Sequence, residues 1–84
     1  MGIKLYRSFL KNFKRLPHDV RIKFIERKNL FLEEPFHPLL NNHSVEKAYP
    51  DCRSINVTGD YRAIFFEQGN EVIFIRIGTH SELY

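Results

Sequence analysis

The pattern of apolar and polar positions along the chain changes its period once. Up to about residue 32, apolar residues recur three and four positions apart, a spacing typical of amphipathic helices. From residue 52 onward, apolar and polar residues alternate, as they do in strands that are buried on one face. This order predicts an α+β domain in which helices precede an antiparallel sheet.

The helical part of the sequence contains signals for one short strand and two helices. We predict a first strand at residues 3–6. Ser8 is a suitable N-cap for the helix that follows this strand. Pro17 ends this helix and suits the first turn of a second one. Pro35 prevents the second helix from continuing, so we predict it over residues 17–32.

The alternating part of the sequence predicts a three-stranded meander. The strands are expected at residues 52–57, 61–67 and 71–77, with glycine in both intervening turns. Between the helices and this meander, residues 35–51 form a long segment rich in proline and asparagine. Because long loops in small domains tend to carry function, this segment is a candidate part of the site.

The second hairpin determines which side chains share a face of the sheet. A three-residue turn at residues 68–70 places Arg62 opposite Arg76 and Ile64 opposite Phe74. Two arginines directly opposite each other are unfavourable unless an anion lies between them. The face expected to receive both helices then carries Tyr61, Ala63, Phe65, Ile73, Ile75 and Ile77.

The first hairpin has two possible registers. A two-residue turn would direct Asn56 into the core and leave Ile55 and Val57 on the arginine face. A three-residue turn at residues 58–60 buries Ile55 and Val57 and aligns Asn56 with Arg62. We favour the three-residue turn because it separates apolar from polar side chains.

The outer face of this predicted sheet concentrates groups that can hold and act on a phosphodiester. It carries Asn56, Arg62 and Arg76, with Asp60 at the turn and His80 at the rim. A surface ion-pair network of the carboxylate and the arginines is the structural alternative. At the C-terminus, a packing explanation makes Gly78 a turn, His80 a solvated residue and Tyr84 a cover for the core.

Composition limits the class of protein. Residues 1–84 are expected to form a single domain, and the one cysteine, Cys52, allows neither an internal disulfide nor a thiol zinc cluster. The four histidines lack metal-ligand spacing, so we expect neither a metal nor a cofactor. No apolar run is long enough to span a membrane and no secretion signal precedes the domain, which predicts a cytoplasmic protein.

The charge of the chain is distributed unevenly. Residues 1–28 carry nine of the thirteen lysines and arginines and have a net charge of +7, whereas residues 29–84 have a net charge of −4. These basic residues either solvate the outer faces of two helices or form an RNA-binding surface. The candidate surface for docking on ribosomal RNA consists of Lys11, Lys14, Arg15, Arg21, Lys23, Arg27 and Lys28.

Three stretches of the sequence resemble a known family. LLNNH before the first meander strand, RSINVTGDYRAIF across the first hairpin and GTHSELY at the end are similar to the RelE/ParE superfamily of toxin–antitoxin toxins, especially its YafQ-like branch. The resemblance covers nearly the whole chain and implies one strand, two helices and a meander completing a single sheet. It also implies a ribosome-dependent endoribonuclease that cleaves mRNA and is bound by an antitoxin encoded beside it.

The resemblance assigns roles to individual residues. His80 corresponds to the main catalytic histidine of the YafQ-like branch, Asp60 to a carboxylate of its site, and His43 to a histidine after the second helix. Arg62 corresponds to a phosphate-binding arginine, and Tyr84 to a C-terminal aromatic that assists catalysis or stacks on a base. Asn56 is a departure, because YafQ-like enzymes have a further histidine at its position and asparagine cannot shuttle a proton.

These residues suit RNA cleavage by attack of the ribose 2′-OH, which leaves a 2′,3′-cyclic phosphate and requires no metal. We expect His80 to be the general acid, Asp60 or His43 to assist the base, and Arg62 and Arg76 to bind the phosphate. The free domain is expected to be a monomer. Two alternatives are a ParE-like toxin that acts on DNA gyrase by contact, and a degenerate domain that still binds an antitoxin.

Overall fold

The computed structural model describes all of residues 1–84 as one sheet with helices packed against it. The five strands lie in the order β1-β5-β4-β3-β2; β1 pairs parallel with β5 and the other pairs are antiparallel. The elements in chain order are β1 Gly2–Leu5, α1 Arg7–Lys14, α2 His18–Glu33, β2 His43–Ser44, β3 Arg53–Asn56, β4 Tyr61–Gln68, β5 Glu71–Thr79 and α3 His80–Leu83, with a 3₁₀ turn at Pro38–Leu40 before β2. This architecture confirms the α+β fold and adds β2 and α3 to it.

Helix α1 covers an open edge of β5. Strand β1 pairs with β5 only as far as Phe74, and the backbone groups beyond it receive side chains from α1 instead. The Ser8 hydroxyl donates to the Ile75 carbonyl at 2.7 Å, and Asn12 Oδ1 accepts from the Ile77 amide at 3.4 Å. The prediction of Ser8 as the N-cap of α1 was therefore wrong: Tyr6 occupies that position, and Ser8 lies within the helix. The Ser8 hydroxyl instead satisfies a strand carbonyl that would otherwise lack a partner.

Aromatic side chains fill the core between the helices and the sheet. Phe9 from α1 and Phe24 and Phe31 from α2 are at most 2% exposed, as are Phe65 and Phe74 from the sheet. Their ring centroids approach to 5.0 Å for Phe9 and Phe24 and to 5.1 Å for Phe31 and Phe65. This packing fixes the position of β4 and β5 relative to both helices.

The first hairpin has the predicted register. Asn56 pairs with Arg62, and Ile55 pairs with Ala63. Ile55 and Val57 are completely buried in the core beneath the helices. The three-residue turn was therefore the right choice.

The second hairpin differs from the prediction because its turn is shorter. Gln68 pairs with Glu71, so the turn contains two residues instead of three. Gly69 adopts a positive φ of 60°, which glycine tolerates without strain and which suits a two-residue hairpin turn.

A β-bulge shifts the second hairpin once more. Phe65 pairs with Phe74 but Ile64 pairs with Arg76, so Ile75 has no partner on β4. Arg62 consequently lies opposite Gly78, and the predicted pairing of the two arginines is wrong.

These shifts also change which face of β5 points toward the helices. Val72 and Phe74 lie in the helix-facing core, whereas Ile75 packs with the cluster on the opposite face. The expectation that Ile73 and Ile75 face the helices was wrong, because the shorter turn inverts the alternation. The bulge reverses it again, so Ile77 returns to the core as predicted.

The outer face of the sheet is partly covered. Cys52, Ile64 and Leu83 are buried there, beneath the loop that precedes β3 and beneath α3. The C-terminal residues therefore belong to a second, smaller core.

None of the helices has the length and apolarity that crossing a membrane requires.

Candidate functional site

The C-terminal segment is a short helix that folds back on the sheet. The Thr79 hydroxyl accepts a hydrogen bond from the Glu82 amide at 3.2 Å, and the Thr79 amide donates to Glu82 Oε1 at 2.8 Å. These reciprocal bonds form a capping box and lower the pKa of the Glu82 carboxyl. The strand does not end at Gly78 as predicted; a Cβ there would lie 3.2 Å from Glu82 Oε1, so glycine makes room for the cap.

His80 joins this helix to the turn of the first hairpin. As the first residue of α3, it donates its amide to the Asp60 carbonyl at 3.2 Å. Its imidazole lies 4.8 Å from the Tyr84 ring, centroid to centroid, at an interplanar angle of 43°. The backbone of the hairpin turn therefore fixes the position of the His80 backbone, from which the imidazole extends.

Four of the residues predicted for the site line one depression, which we call the histidine groove. It has a volume of about 230 Å³ and is lined by His43, Val45, Ser54, Arg62, His80 and Tyr84. These side chains come from β2, β3, β4 and the C-terminal segment, so only the folded sheet brings them together. Asp60 lies instead in a neighbouring depression of about 340 Å³, which shares His80 with the groove.

His43 is held in one orientation by the backbone. Its Nδ1 lies 2.7 Å from the Asn41 carbonyl oxygen. Since a carbonyl can only accept, Nδ1 must carry the proton of this hydrogen bond. In the neutral ring Nε2 is then an unprotonated acceptor, which is the state that a general base requires.

Arg62 is anchored by the turn next to it. Its Nη1 donates to the carbonyls of Thr58, Gly59 and Tyr61 at 2.9, 3.0 and 3.0 Å. The same contacts fix the turn that carries Asp60. The other nitrogens of the guanidinium have no partner in the protein and can bind an anion in the groove.

Tyr49 clamps the C-terminal segment. Its hydroxyl donates to the Leu83 carbonyl at 2.6 Å, and its ring meets the Tyr84 ring edge-on at 5.9 Å. Burial raises the pKa of the Tyr84 phenol and Tyr49 raises it further, whereas Ser54 and Arg62 act in the opposite direction. Tyr49 was not among the predicted site residues, although an aromatic residue within the long loop was an available signal.

Two buried polar atoms of β3 have no hydrogen-bond partner, and one of them, the Ser54 hydroxyl, belongs to a residue that lines the groove. The Ser54 hydroxyl is completely buried near the Tyr84 phenol without forming a hydrogen bond of normal geometry, and Asn56 Oδ1 is buried in the same strand. Buried polar atoms are normally paired, and unpaired ones in a site are candidates for contact with a ligand. Strand alternation places Ser54 on the same face as Asn56, although Ser54 was not among the predicted site residues.

Arg76 does not belong to this site. Its Nε donates to Asn12 Oδ1 of α1 at 3.2 Å, and it lines neither depression. The bulge at Ile75 directs the arginine toward α1. Its expected contact with the phosphate therefore has no support in its position.

The predicted basic surface divides into two parts. Lys11, Lys14 and Arg15 at the end of α1 are exposed. On α2, Arg27 Nε donates to the Val57 carbonyl at 3.4 Å, and Lys23 lies 3.1 Å from Glu26. The members that are half-buried are Arg21, Lys23, Arg27 and Lys28. The strongest free positive charge is thus at the end of α1.

Comparisons with known proteins agree on the fold and the family. YafQ from E. coli strain BL21(DE3) superposes with a TM-score of 0.83 at 20% identity, over 99% of this chain and 97% of that one. A YoeB/ParE toxin from Agrobacterium tumefaciens gives a TM-score of 0.78 at 15% identity, over 95% of this chain and 99% of that one. The E. coli DinJ-YafQ complex gives a TM-score of 0.73 at 21% identity, over 99% of this chain and 97% of that one.

No curated protein matches the sequence. Residues 3–84 match the family described as the ParE toxin of the type II toxin–antitoxin system, parDE. That match spans almost the entire chain, and the folds named above agree with it. The chain therefore belongs to the ParE toxin family of type II toxin–antitoxin systems, within the RelE/ParE superfamily.

Proposed function

We propose that this toxin is an endoribonuclease that cleaves mRNA on the ribosome and thereby inhibits translation. The observation that carries the proposal is the histidine groove, in which two histidines and an anchored arginine line the same cavity. An acid, a base and a cation at one phosphodiester are the groups that this reaction needs. The residues present can therefore catalyse it by proton transfer and charge stabilisation alone.

In the proposed reaction, Nε2 of His43 removes the proton from a ribose 2′-OH. The 2′-oxygen attacks the adjacent phosphorus, and the bond from phosphorus to the 5′-oxygen breaks. Protonated His80 donates its proton to the departing 5′-oxygen, and Arg62 stabilises the additional negative charge on the phosphate. The products are a 2′,3′-cyclic phosphate and a 5′-OH.

The position of Asp60 favours His43 as the base. Both histidines line the groove, whereas the exposed carboxylate of Asp60 lies in the depression on the other side of His80. We therefore assign the base to His43, and we assign Asp60 the role of positioning His80, whose amide donates to the Asp60 carbonyl at 3.2 Å.

Tyr84 and Asn56 complete the proposed site. Tyr84, whose ring lies beside His80 at a tilt of 43°, is 47% exposed and can stack on a base of the message. Asn56 pairs with Arg62 across the first hairpin but lines neither depression, so we assign it the role of holding the strand that carries Arg62 and no contact with the phosphate. Neither residue needs to transfer a proton in this scheme.

The proposed partners follow from charge and from the comparisons. The exposed basic residues of α1 suit ribosomal RNA, and such binding should weaken steeply as salt rises. The E. coli DinJ-YafQ complex supports a cognate antitoxin as the second partner. Because the proposed target is the ribosome, the toxin would act in the cytoplasm.

The test compares three histidine variants by primer extension on a translated message. His80→Ala and His43→Ala should each reduce the rate of cleavage by about 10²–10⁴-fold, the usual contribution of a positioned acid or base. His18→Ala is the matched control, because this exposed histidine of α2 lines neither depression. Full cleavage by His80→Ala with an unchanged thermal melt would contradict the proposal.

Action by contact on another protein, such as DNA gyrase, is the second candidate, and membership of the ParE family favours it. This toxin would arrest growth without cleaving RNA. If His43→Ala and His80→Ala still arrest growth while retaining wild-type melting temperatures, contact is the mechanism.

A further inference from the structure

The outer face of α2 carries apolar side chains that the domain does not bury. Ile22, Ile25 and Leu32 are 48%, 48% and 40% exposed, and Asn29 is exposed between them. At about 100° per residue, these four positions form one stripe about 80° wide, and its middle lies about 120° around the helix from the buried Phe24. Exposed apolar residues aligned in this way mark an interaction surface more often than scattered ones do.

The spacing of this stripe is that of a coiled-coil seam. The intervals of three, four and three residues place Ile22 and Asn29 at a positions and Ile25 and Leu32 at d positions. We refer to these four residues as the α2 seam. The apolar seam residues are isoleucine at one a position and isoleucine and leucine at the two d positions, and a single asparagine at an a position specifies the register and the number of helices.

Charged residues flank the seam on both sides. Arg21 and Lys28 occupy the g positions, whereas Glu26 and Glu33 occupy the e positions. In a parallel pair of helices, each g residue faces the e residue five positions later in the partner, so each basic residue would meet an acidic one. In an antiparallel pair, g would face g and e would face e, which brings like charges together.

We propose that the α2 seam binds the α2 seam of a second copy of this chain in a parallel pair. The flanking charges are balanced and complementary to themselves, so they fit a second copy better than an acidic antitoxin segment. The pair needs no additional helix formation, because α2 is already folded by the aromatic core on its other face.

The interface is small and the resulting dimer is weak. Only three apolar side chains per copy enter the seam, which is below the size of a standard stable interface. Glu26 contacts Lys23 in the same helix, but both side chains of this pair are exposed and the contact is easily exchanged. The dimer departs from the monomer that we expected from the sequence. It is also independent of the nuclease proposal, since no seam residue lines the groove.

The first test measures orientation by crosslinking. Asn29→Cys places thiols face to face only in the parallel pair, and the native Cys52 is 6% exposed and does not compete. Under mild oxidation, this variant should form a covalent dimer. An antiparallel pair would instead bring position 25 of one copy next to position 29 of the other. In a mixture of the Asn29→Cys and Ile25→Cys variants, the crosslink between positions 25 and 29 should therefore not be the preferred product. The absence of a dimer, or a preference for the mixed crosslink, would overturn the proposal.

The second test exchanges charges and measures the dimer dissociation constant by sedimentation. Lys28→Glu and Glu33→Lys should each weaken the dimer by about tenfold, because each creates two like-charge contacts. An equimolar mixture of the two variants should restore association. Lys47→Glu is the control, since this exposed lysine lies outside α2; it should leave the constant unchanged.

Circular dichroism melts would verify that every variant is folded. Failure of the mixture to associate would overturn the proposed register. A chain that stays monomeric at millimolar concentration, and whose Leu32→Asn variant instead loses affinity for the antitoxin, would assign the seam to the antitoxin and overturn self-association.

Discussion

Tyr49→Phe is the most direct test of how the C-terminal segment is held over the groove. This substitution removes one hydroxyl and keeps the aromatic ring that meets Tyr84 edge-on. The lost contact is the 2.6 Å hydrogen bond to the Leu83 carbonyl. That carbonyl is in the last turn of α3, where helical carbonyls lack partners within the helix.

The size of the effect follows from that single bond. A partly buried neutral hydrogen bond contributes about 1 kcal/mol net, which corresponds to about a fivefold change in an equilibrium constant. We therefore expect the segment to detach about five times more often in the variant. Leu83 in the outer cluster and the capping box at Thr79 remain, so the rest of the domain should stay folded.

Hydrogen exchange measures this detachment directly. The Tyr84 amide donates to the His80 carbonyl at 3.0 Å, and its exchange should accelerate about fivefold. Amides of β4 should exchange as before. Tyr6→Phe is the matched control, because the Tyr6 ring packs on Phe66 but its hydroxyl makes no hydrogen bond within the protein.

Titration of the Tyr84 phenol supplies a second readout. Burial raises its pKa, so docking of the segment favours the neutral phenol. That contribution to stability is complete below the ordinary phenol pKa and is lost as the pH rises through the raised value. In Tyr49→Phe the phenol should ionise at a lower pH. Unchanged Tyr84 exchange together with an unchanged titration would refute the clamp.

Three further expectations concern stability and reactivity. Gly78→Ala should displace Glu82 from the capping box and lower the melting temperature by a few degrees, whereas Gly59→Ala, with nothing within 4 Å of its Cβ, should not; equal melts would contradict the account of the cap. Phe74→Ala should lower the free energy of unfolding by about 3–5 kcal/mol in urea titrations, and a loss under 1 kcal/mol would show that the aromatic core is not tightly packed. Burial, with Asp51 and Glu46 nearby, raises the pKa of the Cys52 thiol, so alkylation at pH 8 should be slow until urea unfolds the chain; rapid labelling of the folded protein would contradict its burial.

The sequence alone was sufficient for β1, for the two long helices, for the three meander strands and for the first hairpin, but it did not predict β2 or α3. Alternation separates Ile55 and Val57 from Asn56 so clearly that only one register buries the apolar pair, and the three-residue turn follows from it. The prolines that flank α2 are equally local signals, because a proline acts on its own turn of backbone. The capping box is likewise a local signal in Thr79-His80-Ser81-Glu82, although it was not among the predicted features.

The register of the second hairpin was decided only by the tertiary structure. Both faces of β5 are apolar, so alternation could not choose between a two-residue and a three-residue turn. The bulge at Ile75 arises where β5 runs beyond β1 and lies against Ser8 and Asn12 of α1.

The composition of the site shows the same division. Arg62 and His80 could be chosen from the sequence because their chemistry and their predicted place at one end of the sheet are informative, whereas His43 was chosen only from the resemblance to the family. Their convergence with Tyr49 depends on how the loop before β3 folds over the sheet, and the exclusion of Arg76 depends on the bulge. Side-chain chemistry is a local property that the sequence states directly, whereas the distance between residues far apart in the chain is set by the packing of the whole domain.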